Sequence, residues 1–148
     1  MYPELSFAKS IRRIHMLLDE LSLEEKKAFW NIANALASVD GRVMEEESIL
    51  QQYNEEMGVN FAFIDALLVD VSKELESIKS GSLRSRKIVY FELFGVAYAD
   101  TEFDENEHKI LDEAANVLGI EADVREILET SVKNIFDTYK KLGEVLDG

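Results

Sequence analysis

Residues 26–59 return sixty positions later as residues 86–120, the offset becoming sixty-one after one inserted residue. Trp30 matches Tyr90, Leu36 matches Val96, Ala37 matches Ala97 and Asp40 matches Asp100. Further along, Val43 meets Phe103, Glu45 meets Glu105, Glu47 meets Glu107, and Gly58 meets Gly119. Each copy reads as an apolar helix, an acidic elbow and an amphipathic helix. A unit this short cannot bury its apolar face alone, so two such hairpins are expected to pack on each other about an approximate two-fold axis.

The rest of the chain agrees with a helical reading. Its single proline is Pro3, only seven glycines are present, and no strand-like alternation persists. Apolar spacing predicts a first helix over 4–20, through Ile11, Ile14 and Leu18. Ser22 and Glu25 have the spacing of a capping box, in which each side chain bonds the other's backbone amide, and open a helix to about Val39. That helix and a second over 84–99 are apolar around much of their girth, which places both in the middle of a core. Asp40-Gly41 closes the first of them. Shorter helices are predicted over 45–57 and, from Asp104 with Glu107 as a second capping box, up to Leu118; Gly58 and Gly119 stop them. From Asn60 to Ser80 the spacing stays helical, as one helix or as two broken near Ser72. A last helix over 122–146 places Ile127, Leu128, Ile135, Phe136, Tyr139, Leu142 and Leu146 on one stripe. The expected architecture is all-α, a single domain spanning 1–148 with six to eight helices, two pseudo-symmetric helix-elbow-helix repeats and flanking helices.

Charge and composition exclude several functions. The formal net charge is −14, which opposes binding to nucleic-acid backbones and to anionic lipid. With no cysteine there is no thiol nucleophile, thiolate metal site or disulfide. No signal peptide is expected at the N-terminus, and the longest apolar run falls far short of the ~20 residues that span a bilayer. The cytoplasm is therefore the expected location. No phosphate-cradling glycine loop is present, and His15 and His108 read as solvated surface residues. An enzyme is not expected. The basic residues gather in KSGSLRSRK at 79–87, as a polar link or as a seat for a phosphate or acidic partner. Tyr2, Phe7, Phe61 and Phe63 are either core residues or exposed anchors for a protein partner.

The segments LSLEEKKAFWNIANALASVDGRVMEEESILQQYNEEMG and KIVYFELFGVAYADTEFDENEHKILDEAANVLGI resemble the tellurite-resistance TerB-like family. The N-terminal domain of membrane-anchored J-domain co-chaperones resembles it too. The likeness runs from about Leu21 to Tyr139. It implies an all-helical duplicated fold, a stress-response or interaction role rather than catalysis, and a divalent cation held by acids of the elbows. Carried over by position, those acids are Asp40 and Glu47 in the first elbow, and Asp100 and Glu107 in the second, with Asp104 assisting. The chain departs from the family pattern at Met44, where a Ser or similar cap is usual, and at Thr101, where Gly is usual.

Oxygen-only sites of this kind suit Ca²⁺, Mg²⁺ or Mn²⁺. The elbows are not EF-hand loops. Counted from Asp100, the sixth residue is Glu105 where that loop needs Gly, and the twelfth is Leu111 where it needs Glu. A second reading needs no metal. Glu45, Glu46, Glu47, Glu105 and Glu107 stand at helix N-termini, where the dipole stabilises an acid by about 0.3–1 kcal/mol. Asp40 and Asp100 stand instead at helix C-termini, the unfavourable end. A bound cation removes that conflict, and so does a local turn bond from the Asp side chain.

Overall fold

The computed structural model describes residues 17–37, 44–99 and 105–148, with the backbone alone at Met44, Glu45 and Glu46. Among the described residues there are two 3₁₀ turns, η1 (Leu17–Glu20) and η2 (Ala66–Leu68), and six α-helices. The helices are α1 (Leu23–Ala37), α2 (Met44–Met57), α3 (Val71–Lys79), α4 (Leu83–Ala99), α5 (Glu105–Leu118) and α6 (Ala122–Asp147). No strand occurs among the described residues, and the fold is all-α.

The two girth-apolar helices form the centre. From Ala28 to Ala37 in α1 every residue but Asn31 is buried, and from Ile88 to Ala97 in α4 every residue but Phe91 is. The two pack on each other; α2 lies on α1, α5 on α4, and α6 on the outer side of α4. Phe29, Trp30, Ile32, Tyr90 and Leu93 are wholly sealed from water. Each such large side chain contributes about 1.5–3 kcal/mol relative to exposure. Short α3 is the piece in common, touching α1, α4 and α5. Asn31 Nδ2 donates to Glu74 Oε2 at 3.1 Å, and Ser72 Oγ donates to Glu113 Oε2 at 2.6 Å, so α3 is tied to both hairpins.

The two hairpins are closed by the same local chemistry. Ser22 and Glu25 form the reciprocal capping box at the start of α1, at 2.8 and 3.1 Å. Sixty residues on, Ser82 Oγ accepts from the Ser85 amide at 3.0 Å. At the far ends, Gly58 and Gly119 both take φ of 69°, where a side chain is strained. Val59 N–H bonds Asn54 C=O and Gly58 N–H bonds Glu55 C=O; Ile120 with Ala115 and Gly119 with Asn116 repeat the pattern. Both ends are Schellman motifs. In each, a basic side chain from the first helix reaches the last carbonyl of the second. Lys26 Nζ donates to Met57 O and Arg86 Nη1 donates to Leu118 O, both at 2.8 Å.

Two expectations are corrected. The stretch after Asn60 is not helical until Ala66, and α3 begins only at Val71. Three buried polar side chains hold this backbone out of a helix. Trp30 Nε1 donates to Ala62 O at 2.8 Å, and Asn34 Oδ1 accepts from Ile64 N at 3.1 Å. Asn54 accepts from Phe61 N at 3.1 Å and donates to Phe61 O at 3.0 Å. Asp65 and Asp70 then cap η2 and α3 in turn. The stripe of α6 is also narrower than its spacing suggested. Val132, Tyr139 and Gly143 are buried, whereas Ile127, Leu142 and Leu146 are exposed. The buried line follows spacings of seven and four, and the three exposed residues sit to one side of it. The expected first helix begins in residues outside the described set; its last four described residues form η1.

Candidate functional site

Of the five acids expected to hold a cation, Asp40, Asp100 and Asp104 lie outside the described residues, as do the Asp40-Gly41 stop, Thr101 and His15. The two described members stand at matched places, the fourth residue of α2 and the third of α5. They differ in environment. Glu47 is exposed, whereas Glu107 is only 2 % exposed, in the first turn of α5. A carboxylate is that deeply buried only when its surroundings compensate its charge. Glu105, two residues earlier, is exposed, as a helix-dipole acid ordinarily is. Among the described residues no three acidic or imidazole side chains converge on a point that could hold a metal ion.

A second polar cluster was not anticipated. Tyr90 Oη donates to Glu129 Oε2. Arg125 Nε lies 2.8 Å from both the Tyr90 hydroxyl and that carboxylate, and Arg125 Nη2 lies 2.7 Å from Asp112 Oδ1. Burial, then the bond to Glu129, pushes the Tyr90 phenol well above its ordinary range. Burial disfavours charge on Arg125, but Glu129 and Asp112 outweigh it and its pKa is raised. The cluster pins α4, α5 and α6 together. Its bonds run between three helices, and it reads as structural. The sequence signal available was the i, i+4 pair Arg125 and Glu129.

Beside this cluster, η1, α4 and α6 wall an apolar groove of about 420 Å³. Leu17, Leu83, Ile88, Phe91 and Leu128 line it, with Arg84 and Lys87 at its rim. Three of the four basic residues of the KSGSLRSRK stretch are thereby placed. Arg86 caps α5, Arg84 makes a two-point ion pair with Glu20 at 2.8 and 2.9 Å, and Lys87 edges the groove. Of the aromatic residues read as core or anchors, Phe61 packs against the core and Phe63 stacks on Trp30 at 5.8 Å while 43 % exposed. Tyr2 and Phe7 lie outside the described residues.

The fold is a helical one built of two helix pairs, α1 with α2 and α4 with α5. The family model described as "Tellurite resistance protein TerB" matches residues 51–129, just over half of the chain, and the chain belongs to that family. The matched stretch takes in the second elbow, with Asp100, Asp104 and Glu107, and stops short of Asp40 and Glu47 in the first. No curated protein and no solved structure matches the chain. No described helix is long and apolar enough to cross a membrane.

Proposed function

We propose that this chain is a non-enzymatic, cytoplasmic TerB module that binds a divalent cation at its acidic elbows and engages a protein partner in a stress-response or tellurite-resistance setting. Asp40, Glu47, Asp100, Asp104 and Glu107 are the proposed ligands. Their all-oxygen chemistry suits Ca²⁺, Mg²⁺ or Mn²⁺. The observation that supports the reading most is the burial of Glu107, 2 % exposed in the first turn of α5. The helix dipole stabilises such an acid by about 0.3–1 kcal/mol at the surface and up to ~2 kcal/mol where it is partly buried, less than the several kcal/mol that burying an ion costs. Glu107 has an interaction partner within the chain, and a bound cation would add to what that partner offsets.

The test is calorimetric titration with Ca²⁺, Mg²⁺ and Mn²⁺ at constant ionic strength, paired with thermal melting. Binding stabilises the fold by about 2.7 kcal/mol at a hundredfold excess over the dissociation constant. Asp100→Asn should abolish that gain and leave the metal-free protein at least as stable, since repulsion within the elbow falls. No saturable heat and no melting shift for any of the three ions would leave the competing reading, an interaction domain whose acids are helix caps. The exposure of Glu47 and Glu105 favours that second reading.

A further inference from the structure

The turn between α2 and α3 carries the most exposed large apolar side chains among the described residues. Leu67 is 92 % and Leu68 80 % exposed, side by side on η2. Two neighbouring leucines held in water ask for a covering surface far more than scattered single ones do. The turn is not a loose loop. Asp65 Oδ1 accepts from Leu67 N at 3.0 Å and Asp70 Oδ1 from Lys73 N at 3.2 Å. The strand of backbone leading into it is fastened by Trp30, Asn34 and Asn54. The knob is thus preorganised, which lowers the entropy lost on docking. Asp65 and Asp70 flank it, both exposed.

The groove between η1, α4 and α6 has the opposite character. Its floor is apolar, its rim carries Arg84 and Lys87, and its volume of about 420 Å³ falls within the range of about 300–1,000 Å³ typical of binding clefts. Arg84 is held in its ion pair with Glu20, so on a chain of net charge −14 the cation this rim offers an acid-flanked apolar knob is Lys87.

We propose that the chain associates with itself head to tail, Leu67 and Leu68 of one copy seated in the groove of the next, with Asp65 and Asp70 on the side of its Lys87, away from the Arg84–Glu20 pair. Knob and groove share no residue, and η2 packs on α1 while the groove is walled by η1, α4 and α6. In the head-to-tail arrangement the contact is heterologous and each docking leaves a free knob at one end and a free groove at the other, whereas a two-fold pair with both knobs seated would stop at twice the single-chain mass. One knob in one groove is a small interface, at the weak and transient end of the scale. The like net charges oppose it at long range, but at 0.15 M salt they are screened beyond about 8 Å, whereas the charge contacts at the rim are not. The inference rests on these two surfaces and not on the elbows, so it stands or falls separately from cation binding.

Sedimentation equilibrium from ~10 µM to ~1 mM at ~150 mM salt tests it, a range suited to a weak contact. The mass of the unaltered chain should climb above the single-chain 16.9 kDa as concentration rises. Two variants separate the halves of the contact: Leu67→Asp with Leu68→Asp, both exposed, removes the knob, and Leu83→Glu with Lys87→Glu, exposed and half-buried, spoils the groove. Each should remain at the single-chain mass when alone, with a melting temperature equal to that of the unaltered chain. Mixed, they should form a one-to-one pair that grows no further, because only one knob and one groove remain. Leu67→Ser with Leu68→Ser replaces the first variant if it melts early. A constant single-chain mass for the unaltered protein up to ~1 mM would overturn the proposal. So would unchanged association of either variant alone, or a mixture that forms no pair.

Discussion

Asn54 gives the sharpest test of how the non-helical stretch before η2 is held. Its side chain is 2 % exposed and carries three bonds, to the amide and carbonyl of Phe61 and to Gln51 Oε1. Asn54→Ala strands both backbone groups of Phe61. An orphaned buried group costs about 1–3 kcal/mol. Phe61 is only half-buried, so the lower end applies to each, roughly 2 kcal/mol for the pair. The small cavity left on α2 adds about 1 kcal/mol. The expected loss is therefore about 2–3 kcal/mol, read from urea unfolding as a lower midpoint at unchanged slope. Hydrogen exchange at the Phe61 amide should quicken in parallel. Asn54→Asp keeps the acceptor for that amide but turns a second carboxylate oxygen toward the Phe61 carbonyl. Burial and that carbonyl both raise the folded pKa of the new acid. Its penalty should therefore be full at pH 7 and relax as pH falls and the carboxyl protonates. A loss under ~0.5 kcal/mol for Asn54→Ala, with exchange at Phe61 unchanged, would refute the idea that this asparagine shapes the segment.

Other outcomes follow from the same geometry. Gly58→Ala and Gly119→Ala both place a side chain at φ of 69°, which costs about 1–2 kcal/mol. At Gly58 the new Cβ meets nothing within 4 Å, whereas at Gly119 it comes 3.2 Å from Arg86 Nη1. Thermal melting should rank Gly119→Ala as the more harmful, because it also displaces the guanidinium that caps Leu118. For Tyr90 the neutral phenol is the form favoured in the fold, its pKa being raised chiefly by burial. Its contribution is complete below the unfolded phenol's value and is lost only as pH climbs through the raised folded value. Spectrophotometric titration should find at least one of the five tyrosines silent up to pH ~11 until the protein unfolds. Tyr90→Phe should remove that silent phenol and cost about 0.5–1.5 kcal/mol.

The centre of the molecule was legible because its signals are local or periodic. The girth-apolar runs around Trp30 and Tyr90 mark helices with no solvent face, and Ser22 with Glu25 needs only its own backbone. The stretch after Asn60 was not legible, because the groups that bend it come from Trp30 and Asn34 some thirty residues away. Its apolar spacing serves an irregular segment as well as a helix. Spacing puts Ile127, Leu142 and Leu146 on the stripe of α6, but it cannot fix how wide a stripe the neighbouring helices cover. At the elbows, the pattern identified matched acids, but nothing in it distinguished Glu107, which is buried, from Glu47, which is not. That difference arises in the packing of α5 on α3 and α4, a non-local property.

The nine residues of α3 have a kinetic meaning. A helix below about 12–15 residues is marginal in water on its own, so α3 depends on its neighbours for its helicity. Those neighbours are divided between the hairpins: α1 on one side, α4 and α5 on the other. Each hairpin can gather locally, its ends drawn together by Lys26 on Met57 or Arg86 on Leu118. Neither alone offers α3 a complete seat. The amides of α3 should therefore gain protection late in refolding, in step with hairpin docking, and exchange only when the hairpins part. Pulse-labelled exchange at Leu75 and Ile78, both sealed from water, would time the moment at which two half-structures become one molecule.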